Sequence, residues 1–267
     1  MRNRFTPTAA VGCLALIVAL CGCQGRRQAS LTGHATDEWK RSYPISRDGE
    51  LQIVGANGSV EIQGGTSSTV EVRAERIARA SSDAAAREIL PRIGIREDVS
   101  PDKIVLQTEG LAGIVIGVAV EVNYHITMPS SARARVRAVN GDVTVVDIDG
   151  QVVLSSTNGE VIGRNLRGGV DARAVNKGVT VSLGAFGRDP VDLRATNGSV
   201  DLAVPSDVNA SLEANYTNGS FDIKDLTYEP FGDQTRRRAR GRLNAGGTPI
   251  TITTVNGNIR VHPEAQP

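Results

Sequence analysis

Residues 138–145, AVNGDVTV, are one copy of a short phrase that recurs along the chain and decides its fold. Further copies are STNGEVIG at 156–163, AVNKGVTV at 174–181, ATNGSVDL at 195–202 and YTNGSFDI at 216–223, with GANGSVEI at 55–62 and TVNGNIRV at 254–261 outside this block. The asparagines of the phrase are Asn57, Asn140, Asn158, Asn176, Asn197, Asn218 and Asn256, at intervals of 83, 18, 18, 21, 21 and 38 residues. Intervals near twenty predict a repeat architecture.

Each phrase lies between two runs in which apolar and polar residues alternate. Apolar residues stand six and four positions before the asparagine and three positions after it. In the block these columns are Ala134, Val152, Val170, Val191 and Leu212; Val136, Leu154, Ala172, Leu193 and Ala214; and Val143, Val161, Val179, Val200 and Phe221. A period of two on both sides of a turn predicts two half-buried strands in each repeat.

The turn chemistry is compatible with two all-β folds. Asn-Gly between alternating runs is a strong hairpin signal, and a row of hairpins would form an antiparallel β-sandwich. However, only one corner of the repeat varies in length, through the connectors 146–151, 164–169, 182–190, 203–211 and 224–249. One rigid and one variable corner is typical of stacked coils. We therefore predict a repetitive β-solenoid or β-roll with two-strand rungs of about 20 residues and a ladder of stacked asparagine amides, with the sandwich as the alternative.

The chain begins with a targeting segment. Arg2 and Arg4 precede an apolar run from Ala9 to Leu20 that is too short to span a bilayer comfortably. The ending Leu20-Cys21-Gly22-Cys23 resembles the lipobox of bacterial lipoproteins, which implies that residues 1–23 are a signal peptide and that Cys23 is the acylated first residue of the mature chain; cleavage without a lipid is the alternative. The membrane is then a partner through the lipid anchor, and Gln24 favours the outer membrane in a Gram-negative organism, because it is not the aspartate of inner-membrane retention.

The remaining chain is predicted to be a tether followed by one domain. Residues 24–38 lack periodicity and apolar content, which is typical of a flexible tether. Residues 39–263 are predicted to form a single β domain, with repeats at 136–223 and 250–261 and one helix from Ser82 to Leu90. Since Cys13, Cys21 and Cys23 belong to the targeting segment or end it, the domain has no thiol to pair and depends on its core.

The last connector carries five arginines within seven residues of a chain whose net charge is only +1. They are Arg236, Arg237, Arg238, Arg240 and Arg242. This local charge predicts a binding site for an anionic glycan or lipid headgroup, with a solvated loop as the alternative. A second candidate surface consists of the outward-facing Asp171, Asp192 and Glu213 beside Arg173 and Arg194. Export and an aromatic content of 3% argue against nucleic acid as a partner.

Several passages together resemble the bacterial putative-adhesin family of β-solenoid domains, formerly a domain of unknown function. They are the lipobox, NGSVEI at 57–62, DAAAREI at 83–89, YHITMPSSARARVRAVNGDVTV at 124–145 and ITITTVNGNIRV at 250–261. The resemblance covers Glu38 to Val261. It implies a repetitive β domain on the cell envelope with a role in adhesion, and it supplies no catalytic residues.

From these observations we predict a non-enzymatic cell-envelope lipoprotein for surface binding or scaffolding, without a cofactor or metal. Its expected partners are the membrane and an anionic glycan or another envelope protein. One alternative is a polysaccharide lyase or hydrolase on a β-helix, in which Asp201 and Asp222, expected on neighbouring rungs, form a calcium site or a carboxylate pair. Another alternative is an envelope-stress sensing partner protein.

Overall fold

The computed structural model describes residues 31–111, 117–232 and 235–264, which form β-strands and one short helix. The strands of the first half are β1 Gly33–Pro44, β2 Glu50–Asn57, β3 Val60–Gly65, β4 Thr69–Ala80, β5 Gly94–Ser100, β6 Lys103–Glu109, β7 Ala119–Pro129, β8 Arg133–Asn140 and β9 Val143–Val146. The later strands are β10 Val152–Ser156, β11 Val161–Leu166, β12 Val170–Ala174, β13 Val179–Leu183, β14 Val191–Ala195, β15 Val200–Val204, β16 Ala210–Asn218, β17 Phe221–Ile223, β18 Tyr228–Pro230, β19 Arg238–Leu243, β20 Thr248–Asn256 and β21 Ile259–Pro263.

The strands form two sheets that enclose one apolar core. Sheet A has the order β1-β4-β7-β3-β9-β11-β13-β15-β21-β17, and sheet B has the order β18-β19-β16-β20-β14-β12-β10-β8-β2-β6-β5. Each repeat contributes its first strand to sheet B and its second to sheet A, and equivalent strands of successive rungs pair in parallel, as β10 pairs with β12 and β11 with β13. The predicted repetitive β-solenoid is therefore confirmed, and the antiparallel sandwich is wrong.

The apolar columns of the repeat line the core. Val152, Leu154 and Val161 are fully buried, and the equivalent residues of the neighbouring rungs are buried beside them. The registers place like residues side by side, as in Leu154 with Ala172 and Val161 with Val179. Stacking at about 4.8 Å per strand makes each column a continuous apolar stripe, so the period-two pattern translates directly into the core.

The rungs do not stack in chain order at the C-terminal end. The last rung, β20 and β21, lies between the rung of β14 and β15 and the rung of β16 and β17. The chain first places β16 and β17 one position further out, turns back through the antiparallel strands β18 and β19, and then inserts β20 and β21. Rungs that follow one another in the sequence are thus separated in space at this end. The outward-facing side chains of these rungs therefore have different neighbours from those that chain order would give them.

The N-terminal end is closed by antiparallel strands and the helix. In sheet A, β7 pairs in parallel with β3, and β4 and β1 follow in antiparallel pairing; in sheet B, β6 pairs in parallel with β2, and β5 follows in antiparallel pairing. The helix α1 spans Asp83–Ile89 with Ser82 as its N-cap, close to the predicted bounds, and a single 3-10 turn at Leu90–Arg92 follows it. Ala86 and Ile89 of α1 are buried, so the helix covers this end of the core.

The domain begins earlier than predicted. The strand β1 starts at Gly33 and pairs with β4 over its whole length, so residues 33–38 of the predicted tether are part of the sheet. Edge strands carry many polar residues, which explains the error. The signal peptide, Cys23 and the tether residues 24–30 lie outside the described residues. Within the described part of the chain, none of the helical segments is long and apolar enough to cross a membrane.

Candidate binding surfaces

The asparagine corner is a continuous ladder of side-chain amides. Each asparagine after Asn57 donates from Nδ2 to Oδ1 of the asparagine in the neighbouring rung towards the N-terminal end. The bonds are Asn140 to Asn57 (2.8 Å), Asn158 to Asn140 (2.5 Å), Asn176 to Asn158 (2.6 Å), Asn197 to Asn176 (3.3 Å), Asn256 to Asn197 (2.8 Å) and Asn218 to Asn256 (2.8 Å). All seven predicted turn asparagines therefore take part. The ladder follows the spatial order of the rungs, with Asn256 before Asn218.

The glycine after the asparagine is required chiefly by close stacking. A Cβ atom on Gly159 would lie 1.8 Å from the carbonyl oxygen of Gly141, and one on Gly141 would lie 2.1 Å from the carbonyl oxygen of Gly58. Positive φ adds to this requirement at Gly58 (139°) and Gly141 (152°). This corner is consequently a structural element with its polar groups satisfied internally, and it offers little to a ligand.

The outer face of sheet B carries a row of arginines that runs across the strands. Following the registers from β5 to β19, the row holds Arg96, Gln107, Val54, Arg137, Ser155, Arg173, Arg194, Thr253, Asn215 and Arg238. Five of these positions are arginine and none is acidic. We call Arg96, Arg137, Arg173, Arg194 and Arg238 the arginine row.

A second row lies two residues away along the strands and mixes both charges. Its charged members are Asp98, Arg135, Asp171, Asp192, Glu213 and Arg240. Arg173 forms two hydrogen bonds with Asp171, at 2.9 and 2.8 Å, and Arg194 lies 2.5 Å from Asp192. These are pairs within a strand that remain partly exposed, so each contributes only about 0–1 kcal/mol to stability.

The two surfaces that the sequence suggested separately are one surface in the structure. Strand β19 pairs with β16, so Arg238 and Arg240 both bind Glu213, with their closest contacts at 2.7 and 2.9 Å. Burial raises the pKa of Glu213, but hydrogen bonds from Asn215, Arg240 and Arg238 outweigh it and hold the pKa below its ordinary value. One carboxylate therefore serves two guanidinium groups, which leaves this end of the face positive.

The other arginines of the connector have different surroundings. Arg242 pairs with Glu229 at 2.8 Å. Arg236 and Arg237 are exposed in the turn before β19, where the Arg237 backbone N–H bonds to Thr235 Oγ1. The predicted cluster thus divides into a turn and a strand, and only Arg238 belongs to the arginine row.

Sequence reasoning did not single out the arginines at the other end of the row. Arg137 is exposed, and within the described ranges its side chain has no hydrogen bond or ion pair. Arg96 donates to Gln107 and lies 3.9 Å from Glu109. The repeat alignment contains a signal for Arg137, because it occupies the same column as Arg173, whereas Arg96 lies outside the repeat and only the strand register reveals it.

Asp192 is the member of the mixed row that burial affects most. Desolvation raises its pKa above the ordinary value in spite of the Arg194 guanidinium beside it. Its Oδ1 atom is buried and has no hydrogen-bond partner among the described residues. The carboxylate is thus held towards Arg194 through Oδ2 alone.

The predicted neighbourhood of Asp201 and Asp222 is wrong. Because the last rung is inserted between their rungs, Arg260 pairs in register with both residues. Arg260 Nη1 lies 3.3 Å from Asp201 Oδ2, and His262 Nε2 lies 2.9 Å from Asp201 Oδ1. Asp222 pairs instead with Lys224 at 3.4 Å. With Arg260 on the strand between them, the two aspartates form neither the calcium site nor the carboxylate pair. Across the described ranges, no group of three or more histidine, cysteine or acidic residues is arranged to hold a metal ion.

A groove of about 700 Å³ crosses the outer face of sheet A at β1, β4, β7, β3 and β9. Several of its charged side chains are paired, either within the lining or with carboxylates beside it. His125 Nδ1 lies 3.0 Å from Glu61 Oε2, and Glu38 binds both Lys40 and Arg73. The volume is in the range of small-molecule sites, but the lining contains no tryptophan, tyrosine or phenylalanine, and three cationic side chains, Lys40, Arg41 and Arg73, face two carboxylates, Glu61 and Glu71.

Comparisons with known proteins agree with this architecture. The family model described as Toastrack DUF4097 matches residues 44–262. The chain is similar to a "putative cell adhesion protein" from Clostridium sporogenes, with a TM-score of 0.51, 10% identity and coverage of 86% of this chain and 100% of the other. It is more distantly similar to a "putative adhesin" from Bacteroides fragilis, with a TM-score of 0.29, 13% identity and coverage of 85% and 97%. No curated protein matches the chain.

Proposed function

We propose that this chain, which belongs to the Toastrack DUF4097 family, is a non-enzymatic lipoprotein of the cell envelope that binds an anionic glycan along the arginine row. The single observation that carries the proposal is the register of sheet B, which aligns five arginines across ten strands without an acidic residue among them. A protein with a net charge of +1 thereby concentrates positive charge on one face.

The shape of this face suits a linear polymer. Ten neighbouring strands spaced by about 4.8 Å give a row of roughly 43 Å. Such a row contacts an extended polyanion at several places at once, so that weak individual contacts combine. The ion pairs of Arg173 and Arg194 are partly exposed and can exchange a carboxylate of the protein for one of the ligand at little cost.

A non-enzymatic role is supported by what the face contains. Its charged groups are arginines and a few carboxylates, of which Asp171, Asp192 and Glu213 are paired with arginines. An arginine remains protonated at all physiological pH values and cannot act as a general acid or base. Arg260 separates the two aspartates that the enzyme alternative requires. The shared fold with a protein described as a "putative cell adhesion protein" also supports an adhesive role.

The proposal is tested by measuring binding and cleavage together on a panel of anionic and neutral polysaccharides. We expect the wild-type chain to bind polyuronate or sulfated glycans, to ignore neutral dextran and to release no product. Arg137→Glu should weaken binding about tenfold, because it reverses the one unpaired charge of the row, and 0.5 M salt should weaken wild-type binding as well.

The matched control is Arg164→Glu, which makes the same charge change on the outer face of sheet A. Arg164 is exposed, and among the described residues its side chain likewise has no hydrogen bond or ion pair. Equal losses in both variants would mean that only net charge matters, and a loss confined to His125→Ala would move the ligand to the groove of sheet A. Cleavage of any glycan would make the chain an enzyme.

The lipid anchor has its own test. In a bacterial host with lipoprotein processing, the wild-type chain should fractionate with membranes and carry acyl chains on its first mature residue, which mass spectrometry detects. Cys23→Ala should abolish both acylation and membrane association. An acylated wild-type chain in the inner membrane alone would contradict the outer-membrane assignment based on Gln24.

A further inference from the structure

The strand β1 is the edge of sheet A at the N-terminal end, and its charges are self-complementary. In the part of the chain that the structure describes, β4 is its only paired neighbour. The centre of the strand reads Asp37-Glu38-Trp39-Lys40-Arg41, two acidic residues, one aromatic residue and two basic residues. If a second copy of this strand lies antiparallel about Trp39, every acidic residue faces a basic one.

The free edge of β1 presents the backbone groups that this register needs. The N–H of His34 donates to Asp83 Oδ1, and the carbonyl of Lys40 accepts a hydrogen bond from Arg41 Nη1 at 2.9 Å. Both groups therefore point away from β4. In an antiparallel strand, the N–H and C=O of one residue point to the same side. The backbone groups of the even-numbered residues, including Thr36, Glu38 and Ser42, therefore point to the open edge.

We propose that two copies of this chain associate through antiparallel pairing of β1 with β1, with a two-fold axis at Trp39. In this register Glu38 exchanges backbone hydrogen bonds with Lys40 of the partner subunit, and Thr36 does so with Ser42 of the partner subunit. Asp37 faces Arg41 of the partner subunit. Trp39 faces Trp39 of the partner subunit. The backbone groups of both remain bonded to β4, so the two form a non-hydrogen-bonded pair, the type in which side chains approach most closely.

The side chains at this edge are accessible enough for the exchange. The side chains of Lys40 and Arg41 are 67% and 50% exposed. Within one subunit Lys40 lies 2.6 Å from Glu38, which also binds Arg73. Arg41 lies 3.5 Å from Glu97 and 4.9 Å from the Trp39 ring, and Asp37 binds Arg76 through both carboxylate oxygens, so the exchange is least costly for Glu38 and Lys40. An exposed ion pair within a strand contributes little, so replacing it by the equivalent pair between subunits is inexpensive, and the new backbone hydrogen bonds favour the dimer.

The other sheet edges do not offer this match. The strands β17 and β18 contain three residues each, and β18 ends in Pro230, which cannot donate a hydrogen bond. Self-pairing of β5 that matches Arg96 with Asp98 centres on Glu97 and places two like charges opposite each other, which is unfavourable. Charges on an edge usually prevent indiscriminate pairing. On β1 their order prevents most registers and favours one.

Charge reversal tests the register. The full-length chain, purified in neutral detergent, is examined by sedimentation equilibrium with the detergent density-matched. We expect concentration-dependent dimers of the wild type, and at least a tenfold weaker dimer for Glu38→Lys and for Lys40→Glu, because each creates two like-charged pairs across the axis. An equimolar mixture of the two variants should regain dimerisation, since every Lys then faces a Glu.

The matched control is the double exchange Glu38→Lys with Lys40→Glu in one chain, which keeps the composition and restores opposite charges across the axis. It should dimerise like the wild type. Equal thermal unfolding temperatures of all variants show that the monomer fold is intact. A wild-type chain that sediments as a monomer throughout, or dimers that are indifferent to these charges, would overturn the proposal.

Discussion

At the scale of single residues, the asparagine ladder shows why the repeat conserves one side chain along the stack. An asparagine inside the ladder donates to one neighbour and accepts from the other, as Asn158 does with Asn140 and Asn176. A carboxylate or a hydroxyl of similar size cannot do both with the same reach. The amide also carries no charge, so stacking at strand spacing costs nothing in electrostatic repulsion.

A change from amide to carboxylate inside the ladder should therefore destabilise the fold. Asn158→Asp places two oxygens against each other at the contact with Asn140 Oδ1, and we expect the free energy of unfolding to fall by about 1–3 kcal/mol. Urea denaturation at pH 7 measures it. Asn57→Asp is the control, because Asn57 Oδ1 only accepts from Asn140 in the described structure. An equal loss in both variants would show that the hydrogen bond from Asn158 to Asn140 does not contribute to stability.

His262 makes the stability of the C-terminal end depend on pH. Its Nδ1 contacts the carbonyl of Pro263 at 2.8 Å, and its Nε2 contacts Asp201 Oδ1 at 2.9 Å. Desolvation lowers the pKa of His262, but the bonds to Pro263 and Asp201 outweigh it and raise the pKa above its ordinary value of 6.5, with Arg260 opposing weakly. Both partners accept hydrogen bonds, so the doubly protonated ring fits the site.

The raised pKa fixes the direction of the pH dependence. The stabilisation is fully present below the unfolded-state pKa of about 6.5 and is lost as the pH rises through the higher folded-state pKa. We expect the urea midpoint of the wild type to fall between pH 5.5 and pH 8.5 by more than that of His262→Asn, which cannot gain a proton. Parallel pH profiles of the two proteins would contradict this role.

At the scale of strands and rungs, the sequence predicts the phase of the repeat but leaves the order of the rungs undetermined. Leu212 and Ala214 of β16 occupy the same apolar columns as Ile250 and Ile252 of β20. Either rung would therefore present apolar residues in the correct columns beside β14. The difference lies in long-range connections, since β18 and β19 turn the chain back. Local periodicity carries no information about such a return.

The outward-facing residues do distinguish the two orders. Chain order would place Asp201 beside Asp222, whereas the observed order inserts Arg260 between them. Arg260→Glu would align three carboxylates on neighbouring strands, and we expect a loss of about 1 kcal/mol in the free energy of unfolding at pH 7. Arg164→Glu, without a side-chain partner in the described structure, should be neutral, and a neutral Arg260→Glu would argue against the inserted rung.

At the scale of the whole molecule, the candidate surface extends beyond what any local pattern predicts. The connector arginines and the charged columns were visible in the sequence, but only the pairing of β16 with β19 joins them. Arg96 enters the same row through β5 and β6, which lie outside the repeat. Repeats predict which way a side chain points, because the period fixes the face. They do not predict which strands from outside the repeat extend that face.

The same connections make the last rung the element that attaches the C-terminal end to the rest of the solenoid. In sheet A, β17 pairs only with β21 among the described strands, and in sheet B, β16 is joined to β14 through β20. In stacked repeats stability is mainly the sum of contacts between neighbours. The strands β16 to β19 therefore depend on β20 and β21, although they precede them in the chain.

Removal of the last rung should release this end while the earlier rungs remain folded. We expect a chain truncated after residue 247 to lose hydrogen-exchange protection in β16 to β19 and to keep it in β8 to β13. The strand β17 has only three half-buried residues, which are too few to keep this rung folded without a paired strand. The control is a chain ending at Glu264, which retains both strands of the rung and should match the wild type. If β16 retains its protection, it must have moved onto β14, where its apolar columns also fit. The order of the rungs in the intact chain would then be set by the turn through β18 and β19 alone.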